Sequence, residues 1–243
     1  MEVVQVDSEE RKELDIGDIT LNYYERGSGK TLIFIHGNGL SSKVFKKMYM
    51  YFSRFYRVIA IDTRGHGLSK SGNIPYTVNL LSEDFIKFCN IKNIKKTSII
   101  GYSDGGNIAL MIAKKEPTMI DKLVVISGNY KAEGVKLWFK TYVLTSKIPL
   151  ILLKRFSEKA RIKLWRLNLM IRDIGIKDED LASINTPTLV MCAEFDVISK
   201  KHTETIHNYI KGSIIKLVEH STHFNIVSKE NSLKIIDKFL KVN

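Results

Sequence analysis

Residues 97 to 112, Thr-Ser-Ile-Ile-Gly-Tyr-Ser-Asp-Gly-Gly-Asn-Ile-Ala-Leu-Met-Ile, constrain this chain more than any other stretch. Ile99 and Ile100 read as part of a buried strand. Gly101 to Gly105 reads as a sharp turn, and Asn107 to Lys115 carries apolar residues at helical spacing. A serine on a tight strand-to-helix turn needs small neighbours, and Gly101, Gly105 and Gly106 supply them. Such a turn lifts the Ser103 hydroxyl clear of the sheet edge. It also sets that hydroxyl at a helix N-terminus, whose free N–H groups favour a developing negative charge. Ser103 is the candidate nucleophile, and an ordinary glycine-serine turn is the alternative.

The rest of the chain supplies a matching frame. Residues 18–24 alternate as an edge strand does, while 31–35, 57–62, 123–126, 187–192 and 214–218 are nearly all apolar, as strands buried on both faces are. Helical spacing predicts helices over 41–52, with a serine cap, and over 77–91 and 228–240. The expected fold is a mostly parallel central sheet with helices on both faces, and 243 residues suffice for one such domain with an insertion. From Lys131 to about Ala182 the rhythm changes to helical patterns broken at Pro149, with no strand between. We therefore expect a core of residues 1–130 and 183–243, and a helical insertion over 131–182. The insertion can line a pocket with Trp138, Phe139, Tyr142 and Trp165. It can also lie on an anionic membrane with its lysines outward.

Composition narrows the partners. Lys and Arg exceed Asp and Glu by 12, but the lysines are spread along the chain and no nucleic-acid module is recognisable, so no nucleic-acid partner is expected. Membrane association ranks below a small-molecule partner. Cys89 and Cys192 sit in apolar stretches and read as core residues of a reducing compartment. Met1 to Glu10 lack the basic start and apolar run of a leader, and no apolar run approaches a membrane span, which predicts a cytoplasmic location. Gly29-Lys30-Thr31 is not a phosphate loop, because Tyr24 stands where that loop needs glycine. No metal or organic cofactor is implied, and the oligomeric state is not encoded in any recognisable way.

Serine is a weak nucleophile near neutral pH and needs a base, which in turn needs an acceptor to fix its tautomer. An acid, Asp196, follows the next-to-last predicted strand, and a histidine, His223, follows the last. In a parallel sheet all strand C-termini share one edge, so these loops can converge on Ser103. Glu194 and His220 are the competing acid and base. His66, flanked by glycines in a loop, reads as structural. His36-Gly-Asn-Gly39 ends a buried strand, and a freed N–H there, of Asn38 or else Gly39, can serve as a second oxyanion donor. Asp104 either complements the helix dipole or points into the pocket toward a substrate amine.

Five segments together resemble the α/β-hydrolase superfamily, in the group with a lid after the sixth strand. They are His36-Gly-Asn-Gly39, Asp62-Thr-Arg-Gly-His-Gly67, Gly101-Tyr-Ser-Asp-Gly-Gly106, Glu194-Phe-Asp196 and His223-Phe224. The resemblance implies that Ser103 attacks a carbonyl, His223 moves the proton and Asp196 orients His223. The backbone N–H groups of Asn38 and Asp104 would hold the oxyanion, and water would release the acyl group. Gly39, Tyr102, Trp138, Tyr142 and Phe224 are the expected pocket residues. The family's dehalogenases and epoxide hydrolases carry aspartate at the nucleophile position, so Ser103 argues against both. The expected activity is hydrolysis of a small carboxylic ester. The alternatives are a lyase or carbon–carbon bond hydrolase using the same triad, or a non-catalytic binding protein on the same fold.

Overall fold

The computed structural model describes residues 11–242, so the expectation about Met1 to Glu10 lies outside the described residues. Among those residues the chain forms one eight-stranded sheet. Its strands are β1 (Arg11–Asp15), β2 (Thr20–Arg26), β3 (Thr31–Ile35), β4 (Arg57–Ile61), β5 (Thr97–Tyr102), β6 (Ile120–Ile126), β7 (Thr188–Phe195) and β8 (Ile214–Thr222). The order across the sheet is β1-β2-β4-β3-β5-β6-β7-β8. The six strands from β4 to β8 in that order are parallel, and β2 runs antiparallel to β4 and to β1.

Residues alternate between the two faces of a strand, and both faces here are covered. Ile33, Ile35, Ile59, Ile61 and Ile99 join one core cluster with residues of α2 (Val78–Ile91) and α3 (Asp104–Lys115). Leu32, Phe34, Val58, Ala60 and Ile100 join the other, with residues of α1 (Lys46–Phe52) and α8 (Glu230–Lys241). This two-sided burial is why the central strands are continuously apolar in sequence. Between β6 and β7 lie α4 (Leu137–Leu153), α5 (Glu158–Leu169) and α6 (Asp178–Ala182), and α7 (Lys200–Tyr209) joins β7 to β8.

Four sequence expectations need correction. The stretch read as an edge strand forms β2, which pairs with both β1 and β4 and so lies inside the sheet. β1, Arg-Lys-Glu-Leu-Asp, was not anticipated, because an exposed edge strand tolerates the charges that hide its periodicity. Ser41 caps nothing with its side chain. Ser42 instead opens a short 3₁₀ turn with its N–H donated to Asp62 Oδ1 at 2.7 Å, and α1 begins only at Lys46. Pro149 does not break its helix, since α4 runs through it. Proline withdraws one backbone donor, the partner of the Thr145 carbonyl, and Thr145 is exposed so that solvent can take that place.

Candidate active site

Ser103 sits between β5 and α3 with φ 54° and ψ −120°, outside the region most side chains adopt. Holding a non-glycine residue there costs on the order of 1–3 kcal/mol, which the surrounding packing must enforce. Two glycines make that packing possible. A Cβ on Gly105 would fall 2.0 Å from the Ile35 carbonyl oxygen, and one on Gly101 would fall 2.3 Å from that of Gly105. The turn is thus pressed into β3 and its own helix, and Ser103 is left accessible at the sheet edge.

The loops after β7 and β8 bring two partners to it. His223 Nε2 lies 3.1 Å from Ser103 Oγ, and His223 Nδ1 lies 2.6 Å from Asp196 Oδ1. With Nδ1 donating to the carboxylate, Nε2 is left as the acceptor for the serine hydroxyl. Asp196 receives three further donors. Ser127 Oγ donates at 2.5 Å and Ala193 N–H at 3.0 Å to Oδ2, while Ile198 N–H donates at 3.1 Å to Oδ1. Burial alone would raise the Asp196 carboxyl, but the hydrogen bonds from His223, Ser127 and Ala193 outweigh it and hold the group below its ordinary value. Sequence reasoning missed Ser127. Its only signal is a polar residue at the C-terminal end of an apolar strand, on the edge where the other site residues converge.

The triad geometry excludes the competing acid and base, neither of which bonds to Ser103 or His223. His220 lies within β8, and its backbone N–H donates to Glu194 Oε2 at 2.6 Å. His66 is buried beside His36, with its Nδ1 donating to the Arg64 carbonyl at 3.0 Å. His36 Nδ1 donates to the Gly37 carbonyl and Nε2 accepts from Thr63 N–H at 3.1 Å, so this histidine shapes the loop that follows β3. Gly37 in that loop lies against the nucleophile turn, where a Cβ would approach Ser103 Cβ to 3.0 Å. Among the described residues, the backbone N–H groups of Asn38 and Asp104 have no protein acceptor.

Asp104 does not project freely into the pocket. It is 5 % exposed, accepts from Asn38 Nδ2 at 2.7 Å and from Asn107 Nδ2 at 3.2 Å, and burial pushes it up to about 6 against those bonds. The Asn38 amide also donates to the Arg166 carbonyl at 2.6 Å, which ties the loop after β3 to α5. Asn38 and Gly39 line a cavity of about 420 Å³ whose other walls are Lys159, Ile162, Lys163, Arg166 and Leu167, all from α5.

The remaining expected pocket residues have other surroundings. Tyr102 is 2 % exposed and donates its hydroxyl to the His223 carbonyl, so it braces the histidine loop. Phe224 packs edge-on against His223 at 5.5 Å yet is 69 % exposed. Trp138 and Tyr142 are 60 % and 62 % exposed on α4, turned to solvent and not toward the cavity beside Asn38. A helical periodicity identifies faces but not which of them meets the core.

The chain belongs to the alpha/beta hydrolase fold family, whose sequence pattern matches residues 30–163. It is 33% identical over 115 residues to a 2-(acetamidomethylene)succinate hydrolase of Mesorhizobium japonicum, a match covering 47% of this chain and 41% of that protein. That similarity therefore spans less than half of the relative's own length. Over a longer alignment, 93% of this chain and 84% of the relative, it is 25% identical to the human serine hydrolase BPHL. Its fold is similar to that of a meta-cleavage product hydrolase from Pseudomonas fluorescens IP01, with a TM-score of 0.77, 20% identity and coverage of 94% and 97% of the two chains. This member of the family carries a Ser103–His223–Asp196 hydrogen-bonded chain at its sheet edge.

Proposed function

We propose that the protein hydrolyses a small carboxylic ester through an acyl-enzyme on Ser103. The observation that carries this reading is the unbroken sequence of contacts from Ser103 Oγ through His223 to Asp196. His223 Nε2 takes the hydroxyl proton as Ser103 attacks the carbonyl, and returns it to the leaving group. Asp196 stabilises the imidazolium that forms. The N–H groups of Asn38 and Asp104 receive the negative charge on the carbonyl oxygen. Water then repeats the sequence on the acyl-enzyme. Helices α4 to α6 act as a cap over this edge, with Asn38 bonded to the Arg166 carbonyl as one point of attachment. The free, buried Cys89 and Cys192 suit a cytoplasmic location, and no helix among the described residues is long and apolar enough to cross a membrane.

A second reading, hydrolysis of a carboxylate-bearing substrate, has its own support. Lys159, Lys163 and Arg166 line the cavity beside Asn38, and Arg166 Nε is buried without a partner among the described residues. An unpaired, partly buried guanidinium favours an anion. The Mesorhizobium relative is named for a succinate derivative, which suits this reading. A panel of neutral esters matched with carboxylate-bearing esters and enol diacids, with products identified by mass spectrometry, separates the two. Turnover of neutral esters alone supports the first reading, and selective turnover of the acids supports the second. No turnover of any member by a protein that labels at Ser103 contradicts both.

A further inference from the structure

Helix α4, Leu-Trp-Phe-Lys-Thr-Tyr-Val-Leu-Thr-Ser-Lys-Ile-Pro-Leu-Ile-Leu-Leu, carries large apolar residues well beyond the single stripe that a surface helix needs to meet its core. Here only Phe139, Val143 and Leu150 are buried. Leu137, Trp138, Ile148 and Leu152 are 78 %, 60 %, 60 % and 72 % exposed, and Phe156 in the following turn is 88 % exposed. An apolar face of this size on a water-facing helix marks a contact surface.

The charge beside it says what the surface meets. Lys136, Lys140, Lys147 and Lys154 are spaced 4, 7 and 7 residues apart, close to one and two helical turns, so they share one flank of α4. From residue 134 to residue 172 the chain has ten Lys and Arg and a single acid, Glu158. Exposed aromatic and aliphatic side chains bordered by cations on a helix too short and too charged to span a bilayer are the pattern of a helix lying in the interface of an anionic membrane. Pairing with a second copy would bring two cation-rich faces together, which the same charge disfavours.

The first turns of α4 are fastened to the candidate site. Lys136 N–H donates to the Val197 carbonyl at 2.8 Å, and Val135, Phe139 and Val143 pack with Val197 and Ile198, directly after Asp196. A surface that holds α4 therefore holds the edge of the sheet carrying Asp196.

We propose that α4 and the turn after it dock this protein onto anionic lipid bilayers, with Leu137, Trp138, Ile148, Leu152 and Phe156 inserted among the headgroups and the lysine flank on the phosphates. Docking requires no catalysis and stands whether or not Ser103 is reactive. The test is flotation with phosphatidylglycerol–phosphatidylcholine vesicles and with phosphatidylcholine vesicles, together with Trp138 fluorescence in a Trp165→Phe background. The expected result is partitioning to the anionic vesicles that weakens with salt, and a blue shift of Trp138 emission on binding. Leu152→Asp with Phe156→Asp is expected to lower partitioning about tenfold or more. Each of Lys140→Glu and Lys147→Glu is expected to lower it about fivefold or more. Both sites are outside the core, and unchanged thermal unfolding verifies that the variants fold. No binding to anionic vesicles, equal binding to neutral ones, or undiminished binding of the double aspartate variant would overturn the proposal. A dimer that the two aspartates dissociate, in protein that ignores vesicles, would overturn it in favour of a second copy.

Discussion

Ser127 donates its hydroxyl to Asp196 Oδ2 at 2.5 Å, from the end of the strand beside the one that delivers the acid. With His223 and the N–H groups of Ala193 and Ile198, it completes a set of four donors around one buried carboxylate. Every one of these bonds favours the ionised form and fixes the direction in which Asp196 meets His223.

Replacing Ser127 with alanine removes one donor to a buried charge, a loss of about 1.5–3 kcal/mol in stability. Turnover falls about tenfold with KM little changed, because Ser127 acts through Asp196 and does not meet the substrate. Asp196 is held below its ordinary value, so losing a donor raises it. The acidic limb of the pH–rate profile then moves to higher pH. Steady-state kinetics across pH, on the ester that the wild type turns over, measure both.

Asp104 gives a pH dependence of stability with the opposite sign. Burial raises its folded value to about 6 from an ordinary 3.8, so the folded protein binds the proton more tightly than the unfolded chain. Stability is therefore lost as pH rises from about 4 through 6, by roughly 3 kcal/mol from this group, and the loss is complete by pH 7. Asp104→Asn keeps an acceptor for Asn38 and removes the titration. Its stability, from chemical denaturation at pH 4 and pH 7, loses less over this interval than the wild type by about that amount.

Gly105→Ala sets a methyl group 2.0 Å from the Ile35 carbonyl oxygen, within the backbone of the central sheet. Neither β3 nor α3 can shift without disturbing the core on that face. A destabilisation of about 4 kcal/mol or more is expected, read as a drop of the melting temperature or as failure to fold. The neighbouring Gly106, where a Cβ would meet Val125 Cγ1 at 3.2 Å and the backbone of Gly101 and Gly128 at 3.4 Å, is expected to tolerate alanine much better.

The parts of this fold that were legible in sequence are those where one strand or turn carries its own signature. β3 to β7 announced themselves because burial on two faces keeps their central residues apolar, and the Ser103 turn because three glycines surround it. β1 stayed hidden because an exposed edge needs no apolar pattern. Ser127 stayed hidden because its partner is reached only through the register of β6 against β7, and nothing local distinguishes it from any serine after a strand. Trp138 and Tyr142 were expected at the pocket because aromatic residues on a helical insertion suggest a lining. Which face of α4 meets the core depends on Val135 and Val197, which are far apart in sequence. Asn38 was read as a backbone donor, while its side chain also joins Asp104 to α5, a contact between residues 128 positions apart.

The central claim, that Ser103 is an activated nucleophile, is tested most directly by intact-protein and peptide mass spectrometry after treatment with a fluorophosphonate, comparing the native protein with Ser103→Ala. The expected result is one label per chain on the Ser103 peptide of the native protein and none on the variant. His223→Ala and Asp196→Asn are expected to slow the labelling by a hundredfold or more. Absence of labelling in folded native protein, or equal labelling of Ser103→Ala, would contradict the account.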